Sequence, residues 1–137
     1  MSYLVDTNSF SETVKPRPDP KLLTWLRLHE AELYVSTITL GEIRRGIERL
    51  PAGKRQDQLR TWLMELAAGL QERVLSFNAS TAHVWGQLKA EWEREGLSIA
   101  SLESQIAATA HRYGLTIVTR NVADFQKTGV KVINPFD

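Results

Sequence analysis

Ser2-Tyr-Leu-Val-Asp-Thr-Asn8 is the stretch that decides the fold. A short apolar run ends in an acid and is followed at once by helix-starting polar residues. That pattern predicts a central strand delivering Asp6 to the rim of a sheet. In open α/β sheets, ligands collect beyond the carboxyl ends of the strands, where helix N-termini also converge. Asp6 is therefore the first candidate site residue.

Working outward, Ser9-Phe-Ser-Glu12 fits a capping box opening a short helix, which the prolines of Lys15-Pro-Arg-Pro-Asp-Pro20 must end. Leu22, Leu23, Trp25 and Leu26 lie at helical spacing in a helix predicted over Lys21 to Glu30, and Leu33 to Ser36 reads as a second strand. Thr39-Leu-Gly-Glu42 is another capping box, opening a helix striped by Ile43, Ile47 and Leu50 until Pro51 to Lys54 breaks it. Leu59, Leu63, Leu66 and Leu70, with Trp62, mark a helix over Gln58 to Gln71. A third strand, Arg73 to Phe77, is followed by a helix over Ser80 to Glu95 bearing Val84, Trp85, Leu88 and Trp92, with Gly96 as a left-handed cap.

Ser98 to Tyr113 forms the next helix, ended by Gly114, and Leu115-Thr-Ile-Val118 then reads as a strand buried on both faces, because its apolar run lacks polar alternation. Val130 to Ile133 is a last short strand. Strands separated by helices imply βαβ units. The expectation is an α/β fold over residues 1–137: one domain, with a mostly parallel central sheet of four to five short strands and helices on both faces.

Composition narrows the function classes. The chain has 137 residues, 42% hydrophobic and 24% charged, which suits a globular protein and excludes a disordered one. A formal charge of +1 does not decide on a nucleic-acid partner, since a local basic patch can sit on a neutral protein. The lack of cysteine rules out disulfides and thiolate chemistry. No apolar run approaches the roughly 18 to 20 residues of a membrane span, and no basic and apolar leader precedes the first strand. The expected location is the cytoplasm, with no membrane partner.

Four acids stand after strands or at helix starts: Asp6, Glu42, Glu103 and Asp124. A parallel sheet points all four toward one edge. Gathered carboxylates repel, so they must take up protons or share a cation. Mg²⁺ or Mn²⁺ is the natural counter-ion, preferring oxygen ligands and keeping several waters, and the absence of His and Cys from the set disfavours zinc. Each acid taken alone also has a structural reading: Glu42 as the glutamate of a capping box, Asp124 within Asn121-Val-Ala-Asp124 as a cap, any first-turn acid as a partner of the helix dipole.

These residues resemble the PIN-domain ribonucleases, and among them the VapC toxins of type II toxin-antitoxin pairs, especially the FitB-like branch. The matching pieces are Tyr3-Leu-Val-Asp-Thr-Asn8, Ser36-Thr-Ile-Thr-Leu-Gly-Glu-Ile43, Gln105-Ile-Ala-Ala-Thr-Ala110, Gly114-Leu-Thr-Ile-Val-Thr-Arg-Asn-Val-Ala-Asp-Phe125 and Val132-Ile-Asn-Pro-Phe136. The resemblance implies a Mg²⁺- or Mn²⁺-dependent endoribonuclease, neutralised by a cognate antitoxin and commonly paired as a homodimer. Asp6, Glu42 and Asp124 match the family's acidic positions, Asn8 and Thr119 match polar positions beside them, and Asn121 falls in the same motif. Glu103 stands where the family usually has Asp, its carboxylate one bond farther out, about 1.5 Å. Gln105 replaces an apolar residue the family often carries. The alternative that Glu103 opens is a catalytically impaired module that binds RNA or antitoxin without cutting.

The chemistry expected is attack of water on an RNA phosphodiester, with in-line departure of a ribose oxygen. Asn8 and Thr119 would orient a carboxylate or a water, or else serve as turn and cap residues. Cations gather at Arg44, Arg45, Arg49, Lys54 and Arg55, as phosphate contacts or as a solvated helix face. Arg44 and Arg45 are candidates for RNA or antitoxin, and Arg120 for RNA or for a stacked, ion-paired structural role. Trp85 and Trp92 fit core or homodimer packing, while Trp25 and Trp62 could line a groove for an antitoxin helix.

Overall fold

The computed structural model describes residues 1–136. Five strands form one sheet: β1 (Tyr3–Val5), β2 (Leu33–Ser36), β3 (Val74–Leu75), β4 (Thr116–Val118) and β5 (Val132–Ile133). Their order is β3-β2-β1-β4-β5, and every pairing is parallel. Seven α-helices connect them: α1 (Thr7–Glu12), α2 (Pro20–Leu28), α3 (Thr37–Glu48), α4 (Lys54–Leu70), α5 (Ala79–Arg94), α6 (Ser101–Tyr113) and α7 (Val122–Gln126). None of the described helices is long and apolar enough to cross a membrane.

The strand register explains the apolar pattern. Side chains alternate across a sheet, so Tyr3 and Val5 join one core with α1 to α4, through Phe10, Leu22, Leu26, Ile43, Ile47, Leu59 and Leu63. Leu4 joins the other with α5 to α7, through Trp92, Ile106, Ala107, Ala110 and Phe125. β4 divides in the same way, Val118 facing the first core and Ile117 the second. Both central strands are buried on both faces, as the unbroken apolar runs required.

The strand order reverses at the β1/β4 boundary, from which connections run outward in both directions. Such a switch point opens a crevice at the carboxyl ends of the strands. Asp6 follows β1 directly, and its N–H donates to the Val118 carbonyl at 2.9 Å. Thr119 follows β4 and is completely buried beside it.

Both predicted capping boxes are displaced by about one turn. α1 begins at Thr7, with Asp6 as N-cap accepting from the Thr7 N–H, and not at Ser9. α3 begins at Thr37, capped by the Ser36 hydroxyl accepting from the Ile38 N–H. The reason is shared: a polar side chain at the strand end meets the first free N–H groups of the chain as it turns, and the later Ser/Thr-x-x-Glu match is already inside the helix. Glu42 thus sits in the second turn of α3, where it cannot close a capping box. The helix predicted from Ser98 begins at Ser101, that from Gln58 at Lys54, and the edge strands are shorter than the sequence pattern.

Gly114 ends α6 at φ +65°, the left-handed conformation that favours glycine, whereas Gly86 lies inside α5 with open space around it. Gly114→Ala should therefore cost about 1 kcal/mol, and Gly86→Ala should gain roughly 0.5–1 kcal/mol by restricting the unfolded chain. Thermal midpoints of the two variants, measured side by side, should move in opposite directions by a few degrees.

Candidate active site

The site is assembled around Asp6, whose residue is 5% exposed. Its Oδ1 accepts the Thr7 N–H at 2.8 Å. Its Oδ2 accepts the Thr119 hydroxyl at 2.8 Å and the Asn8 side-chain amide at 3.2 Å. Asn8 also donates to the Thr119 Oγ1 at 3.3 Å, and that oxygen accepts the Asn121 N–H at 3.0 Å. Asp6, Asn8 and Thr119 are therefore one hydrogen-bonded cluster, closed across the β1/β4 boundary by residues more than a hundred positions apart.

The other acids arrive on separate helices. Glu42 projects from α3, and its Oε1 accepts the Thr7 hydroxyl at 2.8 Å. Glu103 lies in the first turn of α6 and Asp124 in the first turn of α7, neither helix start having a side-chain cap. All three are half-buried. Burial pushes the Asp6 carboxyl above its ordinary value, with Glu42 and Asp124 adding repulsion against the lowering effect of the Thr119 and Thr7 hydrogen bonds. Burial also raises Glu103, and after it Asp124, Asp6 and Glu42 do the same, in that order. Asp6 and Glu103 thus both feel Glu42 and Asp124, and at Glu103 the charge of Lys127 opposes that repulsion.

Among the described residues, no three of Asp, Glu, His and Cys close on one point as a preformed cage. An open, all-oxygen set suits a hard ion that keeps its own waters and is held by one or two carboxylates, as Mg²⁺ is, better than it suits zinc. The raised carboxyls fit the same ion, because a divalent cation removes the repulsion that raises them. Asp6, Glu42, Glu103 and Asp124 are the residues that could hold it.

The candidate cations divide. Arg44 is ion-paired to Glu48 on its own helix, Nε to Oε2 at 2.8 Å, and Glu48 also takes Arg60. Arg45 is exposed and lines a recess of about 280 Å³ with Thr37, Ile38, Gly41, Glu42 and Leu102. The Arg120 guanidinium lies over the Phe136 ring and reaches toward Glu12, the stacked and ion-paired alternative. Trp92 is buried in the second core and Trp85 donates its indole N–H to the Ser104 Oγ, while Trp25 packs edge-on against Tyr3. Asn121 carries no side-chain cap bond to α7; it contributes its backbone N–H to Thr119.

Two contributors escaped the sequence reading. Thr7 bridges Asp6 and Glu42, and its place between Asp6 and Asn8 was the available signal. Glu12 was read as a capping glutamate but is buried at the far end of α1, with no local sequence signal for its long-range partner Arg120.

Known proteins resemble this chain in sequence and in fold. Residues 3–131 match the family model of the PIN domain. The chain is similar to the VapC ribonuclease Y4jK of Sinorhizobium fredii, 35% identical over 98% of this chain and 97% of the relative. It is similar to toxin FitB of Neisseria gonorrhoeae, 34% identical over 97% of each. The solved structure of FitAB bound to a DNA fragment superimposes with a TM-score of 0.89 at 32% identity, covering 98% of this chain and 96% of that one.

A carboxyl raised by folding favours the folded state while protonated and penalises it once pH climbs through the raised value. Without divalent ions, the penalty that burial and then repulsion impose on Glu103 is therefore absent below about pH 4.5, its ordinary value, and grows above it. Because water screens much of the Glu103 charge, Glu103→Gln should raise the thermal midpoint at pH 7 by only about 1–3 °C, and the gain should vanish near pH 4. Melting curves of both proteins across that range in EDTA check the sign.

Proposed function

The chain belongs to the PIN-domain family, and on that premise we propose that it is a Mg²⁺- or Mn²⁺-dependent endoribonuclease, the toxin of a type II toxin-antitoxin pair. Residues 1–137 would act as one PIN domain in the cytoplasm, where its RNA substrate lies. The observation that carries the reading is the buried Asp6 carboxylate at the strand-order switch point, oriented by Thr119 and by Thr7, which also binds Glu42, with burial and neighbouring acids raising both Asp6 and Glu103. A relative named as a ribonuclease and another named as a toxin support it at full length.

Asp6, Glu42, Glu103 and Asp124 would hold the ion. Once bound, a divalent ion supplies Lewis acidity that lowers the pKa of a coordinated water and offsets charge on the attacked phosphodiester. The chain's own residues prepare for this. Thr119, Asn8 and the Thr7 N–H each donate to the Asp6 carboxylate, favouring its ionised form and fixing which way its oxygens point. The Thr7 hydroxyl does the same for Glu42. The exposed Arg45 beside Glu42 is the cation best placed for an RNA phosphate, whereas Arg44 is engaged with Glu48.

A cognate antitoxin and a homodimer complete the proposal, with a higher toxin-antitoxin assembly built from them. The apolar recess lined by Val14, Ile43, Ile47, Leu50, Leu59 and Trp62 adjoins Glu42, so a partner helix seated there would also cover the acids. The second reading, a module that binds without cutting, draws on Glu103 and its longer reach.

Asp6→Asn keeps the helix cap and should still fold, yet lower RNA cleavage by two orders of magnitude or more, past the roughly 10- to 100-fold expected of Thr7→Val, an outer-sphere partner. Wild-type cleavage of single-stranded RNA should need Mn²⁺ or Mg²⁺, and Mn²⁺ at 100 times its Kd should stabilise the protein by about 2.7 kcal/mol. An Asp6→Asn protein as active as its parent would falsify the mechanism. RNA binding without cleavage or Mn²⁺ stabilisation would favour the module.

Glu103→Asp shortens the ligand to the family's usual length. It should cleave several-fold faster or bind Mn²⁺ more tightly than the parent, read from initial rates across a Mn²⁺ titration.

A further inference from the structure

We propose that Arg120 is a positioning residue, clamped between Phe136 and Glu12 so that its main chain holds Asn8 against Asp6. The proposal rests on the nuclease reading of the Asp6 site and extends it to residues outside the acid cluster. Both jaws of the clamp are fixed by the core. Phe136 is 5% exposed and Glu12 6% exposed. The Phe136 N–H donates to the Asn134 Oδ1 at 2.9 Å, and Glu12 accepts the Asp19 N–H and the Lys15 ammonium at 3.0 Å each. Between them the Arg120 guanidinium carbon lies 4.0 Å from the Phe136 ring centroid, and its Nη2 lies 3.5 Å from the Glu12 Oε1. A planar guanidinium can stack and pair at once, which an ammonium cannot.

The consequence reaches the site through one backbone group. The Arg120 N–H donates to the Asn8 Oδ1 at 3.3 Å, and the Ser9 hydroxyl shares its one proton between the same oxygen and the Val118 carbonyl, each at 3.3 Å. An amide whose oxygen is held by the Arg120 N–H turns its NH₂ to the other side. That side is Asp6 Oδ2 and Thr119 Oγ1. Freed from the clamp, the turn after β4 would let the Asn8 amide rotate, and Asp6 would lose one of the bonds that orient it. An RNA contact by Arg120 would instead draw the guanidinium off both partners.

The test uses the full chain with Phe136→Leu, which keeps apolar volume but removes the ring face, Phe136→Tyr, which keeps the face, and Arg120→Lys, which keeps the charge. Amide exchange at Arg120 should accelerate about tenfold or more in Phe136→Leu and Arg120→Lys, while the Ile117 N–H, bonded to the Lys131 carbonyl within the sheet, stays protected. In both variants kcat should fall about tenfold with KM unchanged, and the Mn²⁺-induced rise in midpoint should shrink. Phe136→Tyr should restore all three readouts, and the double variant should be no worse than either single one. Unchanged Arg120 exchange in Phe136→Leu overturns the clamp. A rise in KM alone for Arg120→Lys overturns it in favour of an RNA contact. Should the wild type neither cut RNA nor respond to Mn²⁺, the nuclease reading fails, and Arg120 exchange with rescue by Phe136→Tyr still decides the clamp.

Discussion

Four carboxylates held at one end of a parallel sheet without a matching set of cations must repel, and most of this structure bears on how that repulsion is sustained. Asp6 is the extreme case, desolvated and yet donated to by Thr7, Asn8 and Thr119. Burial disfavours its charge while the hydrogen bonds favour it. The balance leaves a carboxylate oriented and under electrostatic stress, which the proposed divalent cation would relieve. Stability given up at the site is the usual cost of a prearranged functional centre.

The sheet makes that arrangement possible. β1 and β4 lie side by side in a register pairing Val5 with Val118, so the residues that follow, Asp6 and Thr119, emerge as neighbours. A slip of one residue would turn Tyr3 and Val5 toward α5 to α7 and take Asp6 away from Thr119. The two cores prevent it, because the alternation of Tyr3, Leu4 and Val5 matches an apolar layer on each face. Packing far from the acids thus determines which residues stand beside Asp6.

Much of this was legible in the chain. The apolar run before Asp6, the β-branched stretch before Thr119 and the helical stripes between them fix a parallel α/β sheet, because periods of 2 and 3.6 leave little room for another layout. Gly96 adopts the left-handed conformation expected of it, and Gly114, expected to end its helix, does so in the same conformation. The helix starts were less legible, since a Ser/Thr-x-x-Glu pattern occurs at several registers and the strand end chooses among them. Asp6 and Ser36 act as caps ahead of the matches at Ser9 and Thr39. That shift bears on function: Glu42, freed from a capping role, faces Thr7. The partnership of Glu12 with Arg120 and Phe136 was illegible, because such pairs form only after the sheet brings distant segments together.

Diffraction from a crystal soaked in Mn²⁺ at an energy where manganese scatters anomalously tests the shared-cation claim most directly. An anomalous peak about 2.1 Å from an oxygen of Asp6 and from at least one of Glu42, Glu103 and Asp124 is the expected result. A fully soaked crystal with no peak among these carboxylates, or with manganese bound only elsewhere, would contradict it.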